Sequence, residues 1–315
     1  MDDALRLGVD LGGTKTEAVV LRTRGEQEPE VLSRQRVPTD REHGYEHVLS
    51  NVAALIASVT REAGLARPPT IGVGMPGGIT HRRPDGSRSE LPLVKNSNTT
   101  CLNGMPFHSD LVARVGGPIA FDNDANCFAL AEAAFGAGRG ADVVFGVIMG
   151  TGVGGGIALT TEGKPRAWSG LQGIAGEWGH VVLEPRDGPP CYCGKRGCVE
   201  TYLSGPAIER ANASATGVSR ELREIATRED GRATLDAVVE TFGRVLATVI
   251  DVLDPSVVVL GGGVSNLDVL YQRGAEAVSR WVFNDELATP IVKHRLGDSA
   301  GVFGAAMLAC GQRAD

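Results

Sequence analysis

Hydrophobic and polar positions alternate most clearly at 7–21, LGVDLGGTKTEAVVL, where two apolar β-prone runs flank a Gly-Gly-Thr turn. That pattern predicts a hairpin. Residues 145–159, FGVIMGTGVGGGIAL, repeat it 138 positions later, with Gly8 over Gly146, Val9 over Val147, Gly12 over Gly150 and Leu21 over Leu159. The chain therefore reads as two related halves. After the first hairpin the period changes. Tyr45, Val48, Leu49, Val52, Leu55, Ile56 and Val59 follow helical spacing, with Thr39 or Asp40 as candidate cap and Gly64, Pro68 and Pro69 as the stop. TIGVGMPG at 70–77 predicts a strand and 78–105 an irregular excursion. Residues 119–138 predict a strand, a turn at Asp122–Asp124 and a helix.

The second half continues in the same manner. Residues 235–254 form a long amphipathic pattern stopped by Pro255, 257–266 a buried strand entering a glycine turn, 267–281 a helix, and 300–311 an apolar last helix. Strands alternating with helices in both halves predict two α/β domains with mixed sheets. A cleft between such domains is a common ligand site.

Composition narrows the class. The 315 residues are 42% hydrophobic, carry a net charge of −7 and include 43 glycines. No basic run or stripe suggests a nucleic-acid surface. The start, MDDALRLGVD, lacks the basic-then-apolar pattern of a signal peptide. The longest uncharged run, 143–160, holds six glycines and reads as strand–turn–strand, not as a membrane span. These features predict a cytoplasmic enzyme with reduced thiols.

Reduced thiols make one cluster informative. His180, Cys191, Cys193 and Cys198 follow the spacing H-x10-C-x-C-x4-C. Three thiolates and an imidazole are the donor set of a closed, structural Zn2+ site. A disulfide or a chance cluster is the alternative. Glu177 stands three residues before His180, whose second ring nitrogen would be free to hydrogen-bond outward. Trp178 between them reads as packing.

The glycines need a reason. Gly150, Gly152 and Gly155 satisfy G-x-G-x-x-G, and so do Gly72, Gly74 and Gly77, yet neither run opens a helix as dinucleotide binding requires. Phosphate contact is the better reading. In Asp10-Leu11-Gly12-Gly13-Thr14-Lys15 a carboxylate ends a strand just before a turn without bulky side chains. Such a turn brings N–H groups and the Thr14 hydroxyl to phosphate oxygens, with Asp10 placed to hold Mg2+ through water and Lys15 adding charge. Thr151, Gly152 and Gly154 offer a second turn, and Gly261, Gly262 and Gly263 a third. Each alone reads as an ordinary turn. Asp124 follows a strand at a helix start. It reads as a helix cap or as a general base, with Asn123 meeting a polar substrate.

Together DLGGTK, GMPG, NDAN, GTGVGGG, GEWGH, the C-x-C-G-x-x-G-C-x-E run ending at Glu200, and LGGGVSN resemble the ROK family of sugar kinases in order and over essentially the whole chain. Residues 95–107 and 282–306 look most like its fructokinase/mannokinase branch. The resemblance implies two ribonuclease-H-like (actin/hexokinase-type) α/β domains, at 1–121 plus 300–315 and at 122–299, closing on ATP and sugar. It implies γ-phosphoryl transfer from ATP to a hexose hydroxyl, first O6 of fructose or mannose, otherwise glucose or N-acetylglucosamine. Asp124 takes the catalytic-base position. Gly77, Asn103, Asn123, Glu177, His180 and Glu200 take sugar-contacting positions. Asp10 and the three glycine turns match the ATP and magnesium site, and zinc falls on His180, Cys191, Cys193 and Cys198. Relatives that are dimers imply a homodimer with no nucleic-acid or membrane partner. Some members are repressors with a DNA-binding helix-turn-helix ahead of the sugar domain; a first hairpin near residue 6 is expected to leave no room for one.

Overall fold

A computed structural model of the chain describes residues 3–25, 27–83 and 85–308. Its strands are β1 Ala4–Leu11, β2 Lys15–Thr23, β3 Glu30–Pro38, β4 Thr70–Met75, β5 Gly78–Arg82, β6 Arg88–Lys95, β7 Ile119–Asn123, β8 Val143–Met149, β9 Val153–Thr161, β10 Lys164–Ala167, β11 Val257–Gly261 and β12 Ile291–Lys293. Its helices are α1 Tyr45–Glu62, α2 Phe107–Val115, α3 Asp124–Phe135, α4 Glu200–Leu203, α5 Gly205–Thr216, α6 Leu222–Thr227, α7 Arg232–Leu253, α8 Arg273–Ser279 and α9 Ala300–Leu308.

The internal repeat has a structural counterpart. One sheet runs β3-β2-β1-β4-β7 and the other β10-β9-β8-β11-β12. β1 and β2 form the expected antiparallel hairpin, with Asp10 opposite Glu17. β4 lies parallel to β1 and β7 parallel to β4, as β11 does to β8 and β12 to β11. Strand rank is thus the same in both sheets.

The chain divides into two compact units. The first holds the described residues of 1–140, 156–175 and 296–315, the second 141–155 and 176–295. The sequence reading instead placed the borders at 121/122 and 299/300. Part of the difference comes from α3, which packs along α9 in the first unit. The approach is close: a Cβ at Gly304 would stand 1.7 Å from the Cys127 carbonyl oxygen.

Within the first unit the strand alternation sorts side chains by face. Leu7, Val9 and Leu11 of β1 join Val48, Val52, Ile56 and Val59 of α1, and Phe107 and Leu111 of α2, in one core cluster. Each large apolar side chain buried there contributes about 1.5–3 kcal/mol. Gly8 and Asp10 face the other way, toward α9, where a Cβ on Gly8 would stand 2.1 Å from the Val302 carbonyl oxygen. Gly72, register partner of Gly8, meets the Ala305 carbonyl in the same manner. This glycine of the G-x-G-x-x-G run therefore serves helix–sheet packing.

Several local expectations are corrected. Residues 78–105 contain an antiparallel ribbon, β5–β6. α1 starts after Gly44, and neither Thr39 nor Asp40 caps it. Thr39 lies five residues before the Gly44 cap, too far to reach the helix end, and its hydroxyl donates to the Gly12 carbonyl at 2.8 Å. The predicted helix at 267–281 is a 3-10 turn, Asp268–Leu270, followed by α8. Residues 309–311 of the predicted last helix lie outside the described residues. Among the described residues no helix is long and apolar enough to cross a membrane.

Candidate active site

In the first unit β7 delivers Asp122 and Asn123, and α3 begins at Asp124. The helix cap is Asn123, whose side-chain oxygen accepts from the Ala125 N–H at 2.8 Å. Its amide nitrogen donates to the Gly77 carbonyl at 2.9 Å. Asp124 is therefore the first helical residue and not the cap. Burial raises its carboxyl above the ordinary range, opposed by the N–H groups of Ala125 and of Asp124 itself.

Two neighbours missed in the sequence reading hold this corner. Asp122 accepts from its next N–H at 2.7 Å, from Asn126 at 2.8 Å and from the Ser169 hydroxyl at 2.6 Å. Asn126 in turn accepts from the Ile157 N–H at 3.2 Å. The signal was present in the DNDAN run, where polar residues recur at i and i+4. An open cavity of about 530 Å3 lies beside the corner, lined among others by Gly77, Ile79, Lys95, Phe121, Asn123 and Ser169. Asn103 does not line it. Its amide accepts from the Ser97 N–H and donates to the Ser97 carbonyl, both at 2.9 Å.

The Gly12–Gly13 turn closes with the Gly12 N–H on the Lys15 carbonyl at 3.1 Å. Thr14 and Lys15 are exposed. Asp10, next to last in β1, lies just before this turn with its carboxyl pushed up to about 7. Burial is the main cause, and the charges of Asp124 and then Glu17 add to it, while Lys15 and Arg36 oppose. A Cβ at Gly13 would stand 3.3 Å from the Arg41 guanidinium, a cation the sequence reading did not connect with the turn.

The second unit gathers the other two glycine turns. A Cβ on Gly262 would lie 2.4 Å from the Met149 carbonyl, so the 261–263 turn sits against the end of β8. Gly263 has open space beside it. Thr151 is exposed, and the Gly150 N–H closes on the Gly152 carbonyl at 2.8 Å. Glu200 reaches this turn, accepting from the Val153 N–H at 3.0 Å. A Cβ on Gly152 would stand 2.7 Å from the same carboxylate oxygen. Trp178 is buried edge-on against Phe145 and donates to the Gly154 carbonyl at 2.9 Å. It is packing, as read, and also fixes the turn.

Nearby in the same unit, one ligand atom each from His180, Cys191, Cys193 and Cys198 lies within 4.8 Å of the others. His180 Nδ1 is 3.7 Å from Cys191 Sγ, and Cys193 Sγ is 3.6 Å from Cys198 Sγ. Thiolates at about 2.3 Å from a tetrahedral ion stand about 3.8 Å apart, so the donor set fits such an ion. All four groups are separate donors and the cysteines are free, which removes the disulfide alternative. The second nitrogen of His180 hydrogen-bonds away from the cysteines, as expected, and its partner is a protein group: Nε2 is 3.0 Å from the Tyr192 hydroxyl. The Tyr192 phenol is pushed up to about 12, by burial first and then by the charges of Glu200 and Glu177. Glu177 itself is exposed at the start of the 3-10 turn Trp178–His180. Only the place of Tyr192 between two cysteines could have flagged it.

The ROK family model matches residues 6–312. The chain is 34% identical to an N-acetyl-D-glucosamine kinase of Vibrio vulnificus, over 96% of this chain and 98% of that protein. It is similar to the crystal structure of a ROK hexokinase from Thermus thermophilus, with TM-score 0.81 and 34% identity over 97% of this chain and 98% of that one. It is also similar to a ROK family glucokinase from Streptomyces griseus solved with glucose and AMPPNP, with TM-score 0.75 and 29% identity over 98% and 100% of the two chains. The expected fold class, two ribonuclease-H-like α/β domains of the actin/hexokinase type, holds. On this match in sequence and structure along nearly its whole length, the chain belongs to the ROK family.

Proposed function

We propose that the chain is an ATP-dependent sugar kinase, with Asp124 as general base. The observation that carries the assignment is the state of Asp124. Asn123 is the cap, and the Asp124 carboxylate only shares the Ala125 N–H with it, through Oδ1 at 2.8 Å. Burial raises its pKa, toward the range in which a base best accepts a proton. In the reaction, the acceptor hydroxyl gives its proton to Asp124 while its oxygen forms a bond to the γ-phosphorus, and ADP leaves with the cleaved bridging electrons. The kinase names of the relatives, and AMPPNP bound to one of them, support ATP as donor.

Phosphoryl transfer asks a protein mainly for positioning and charge neutralisation. In this reading Gly77, Asn103 and Asn123 of the first unit, and Glu177, His180 and Glu200 of the second, belong to sugar recognition. Asn103 acts as a brace through Ser97. Asp10, Gly12, Gly13, Thr14 and Lys15, then Thr151, Gly152 and Gly154, then Gly261, Gly262 and Gly263, belong to nucleotide recognition. Mg2+, held through water by Asp10, would neutralise phosphate charge. Zn2+ on His180, Cys191, Cys193 and Cys198 would fix the loop that carries Tyr192.

The acceptor assigned first is N-acetylglucosamine, because the Vibrio vulnificus relative, similar over nearly its whole length, is named as a kinase of that sugar. This displaces the fructose or mannose drawn from residues 95–107 and 282–306. An ADP-release assay across N-acetylglucosamine, glucose, mannose and fructose tests both levels. No sugar-dependent ADP release from any would overturn the kinase assignment. A higher kcat/KM for fructose or mannose would overturn only the acceptor.

A further inference from the structure

A second group of metal donors lies in the first unit, at the corner between β3 and α1. Asp40, His43 and His47 each offer an atom, and these atoms lie within 4.8 Å of one another. His47 Nε2 is 3.8 Å from Asp40 Oδ2, and the His43 and His47 rings stand edge to face with centroids 4.8 Å apart. Nitrogen and carboxylate donors at about 2.0–2.2 Å from a tetrahedral ion are about 3.4 Å apart, so small side-chain rotations close the set. Two backbone features bring the donors together: Asp40 is left-handed at φ 47°, and Gly44 at φ 88° separates the short turn 41–43 from α1.

A fourth group stands close to the set. The Asn51 side-chain N–H is 2.8 Å from His47 Nε2. A bound ion would replace that hydrogen bond, and the same amide turned over offers its oxygen as a fourth donor. We propose that Asp40, His43 and His47 bind one late first-row divalent ion of the class that prefers imidazole with carboxylate: Zn2+, Ni2+ or Cu2+.

The site has a neighbour of interest. Thr39, just before it, donates to the Gly12 carbonyl at 2.8 Å, and Arg41, just after it, donates to the Asn98 carbonyl at 2.7 Å. An ion on Asp40 would hold both ends of that connection to the Gly12–Gly13 turn. The binding itself does not depend on the kinase assignment.

The test uses the full chain, loaded with Zn2+ and then passed over a chelating resin so that Zn2+ stays only on the tighter cysteine-rich set, and titrated with Ni2+ by calorimetry. Wild type is expected to bind one further equivalent. His43→Ala/His47→Ala is expected to weaken it at least tenfold, with unchanged far-UV circular dichroism and unchanged zinc content. His81→Ala, an exposed histidine elsewhere, is expected to keep it. Hydrogen exchange at 39–47 is expected to slow at least threefold on adding Ni2+ to wild type only. No further equivalent in wild type, or equal binding by the double variant, would overturn the site.

Discussion

Replacing Asp10 by asparagine tests the electrostatics of the proposed nucleotide site in the absence of ligand. The carboxyl ordinarily titrates at 3.8 and is pushed up to about 7 in the fold. Between those values the native state keeps a proton that the unfolded chain has lost. Stability is then fully present below the unfolded value and falls as pH rises, by about 1.4 kcal/mol per pH unit, until the native carboxyl ionises. The whole loss is about 4 kcal/mol, of which about 2–3 kcal/mol falls between about pH 5 and pH 8; solvent reaching the partly exposed residue pulls toward the lower figure. The amide that replaces the carboxyl has no charge to bury, and burial, the first cause of the shift, is removed with it. The stability of Asp10→Asn relative to wild type is therefore expected to rise by about 2–3 kcal/mol over that interval. Urea unfolding of the ligand-free proteins, followed by far-UV circular dichroism at several pH values, measures it. A difference constant to within about 0.5 kcal/mol would show that the Asp10 carboxyl is well solvated and that the assigned cause is mistaken.

Asp124→Asn is expected to lower kcat by about 10²–10⁴-fold with little change in sugar affinity; steady-state kinetics with a binding measurement checks it, and unchanged kcat removes the base. Cys193→Ala is expected to lose stoichiometric zinc and weaken sugar binding, as read by elemental analysis and calorimetry; a folded wild type without zinc would contradict this. Gly152→Ala places a methyl 2.7 Å from a Glu200 oxygen and is expected to displace that carboxylate, raising KM for ATP and for sugar together. Tyr192→Phe removes the hydroxyl from His180 Nε2 and is expected to alter KM for sugar more than kcat, with zinc retained.

Much of the fold was legible because its signals are local and periodic. The β1–β2 hairpin and α1 announce themselves by alternation and by helical spacing over long runs. The charged β3, with five of nine positions exposed in the pattern eeiBeieie, offered no comparable stripe. α3 gave little moment because it is buried on nearly every side, and only its strand–turn–helix context marked it. The return of the last helix to the first domain came with the resemblance, but the placing of α3 and of 156–175 beside it was not legible, since it depends on packing between segments far apart in the chain. At the site, residue types were readable but duties were not. Asn123 and Asp124 are adjacent and both suit a cap; only coordinates separate them. Asn103 is polar in a fitting motif, yet its amide is spent on Ser97.

The contact between Glu200 and position 152 constrains how such an enzyme can diversify. A side chain at 152 evicts the carboxylate, and a turned carboxylate releases the Val153 N–H. If Glu200 serves the sugar and the 151–154 turn the nucleotide, as proposed, drift in acceptor preference through residue 200 would drag the other substrate's loop along with it. Lineages changing sugars should leave this pair untouched and vary places with local ties only, of which the Asn103–Ser97 loop is one.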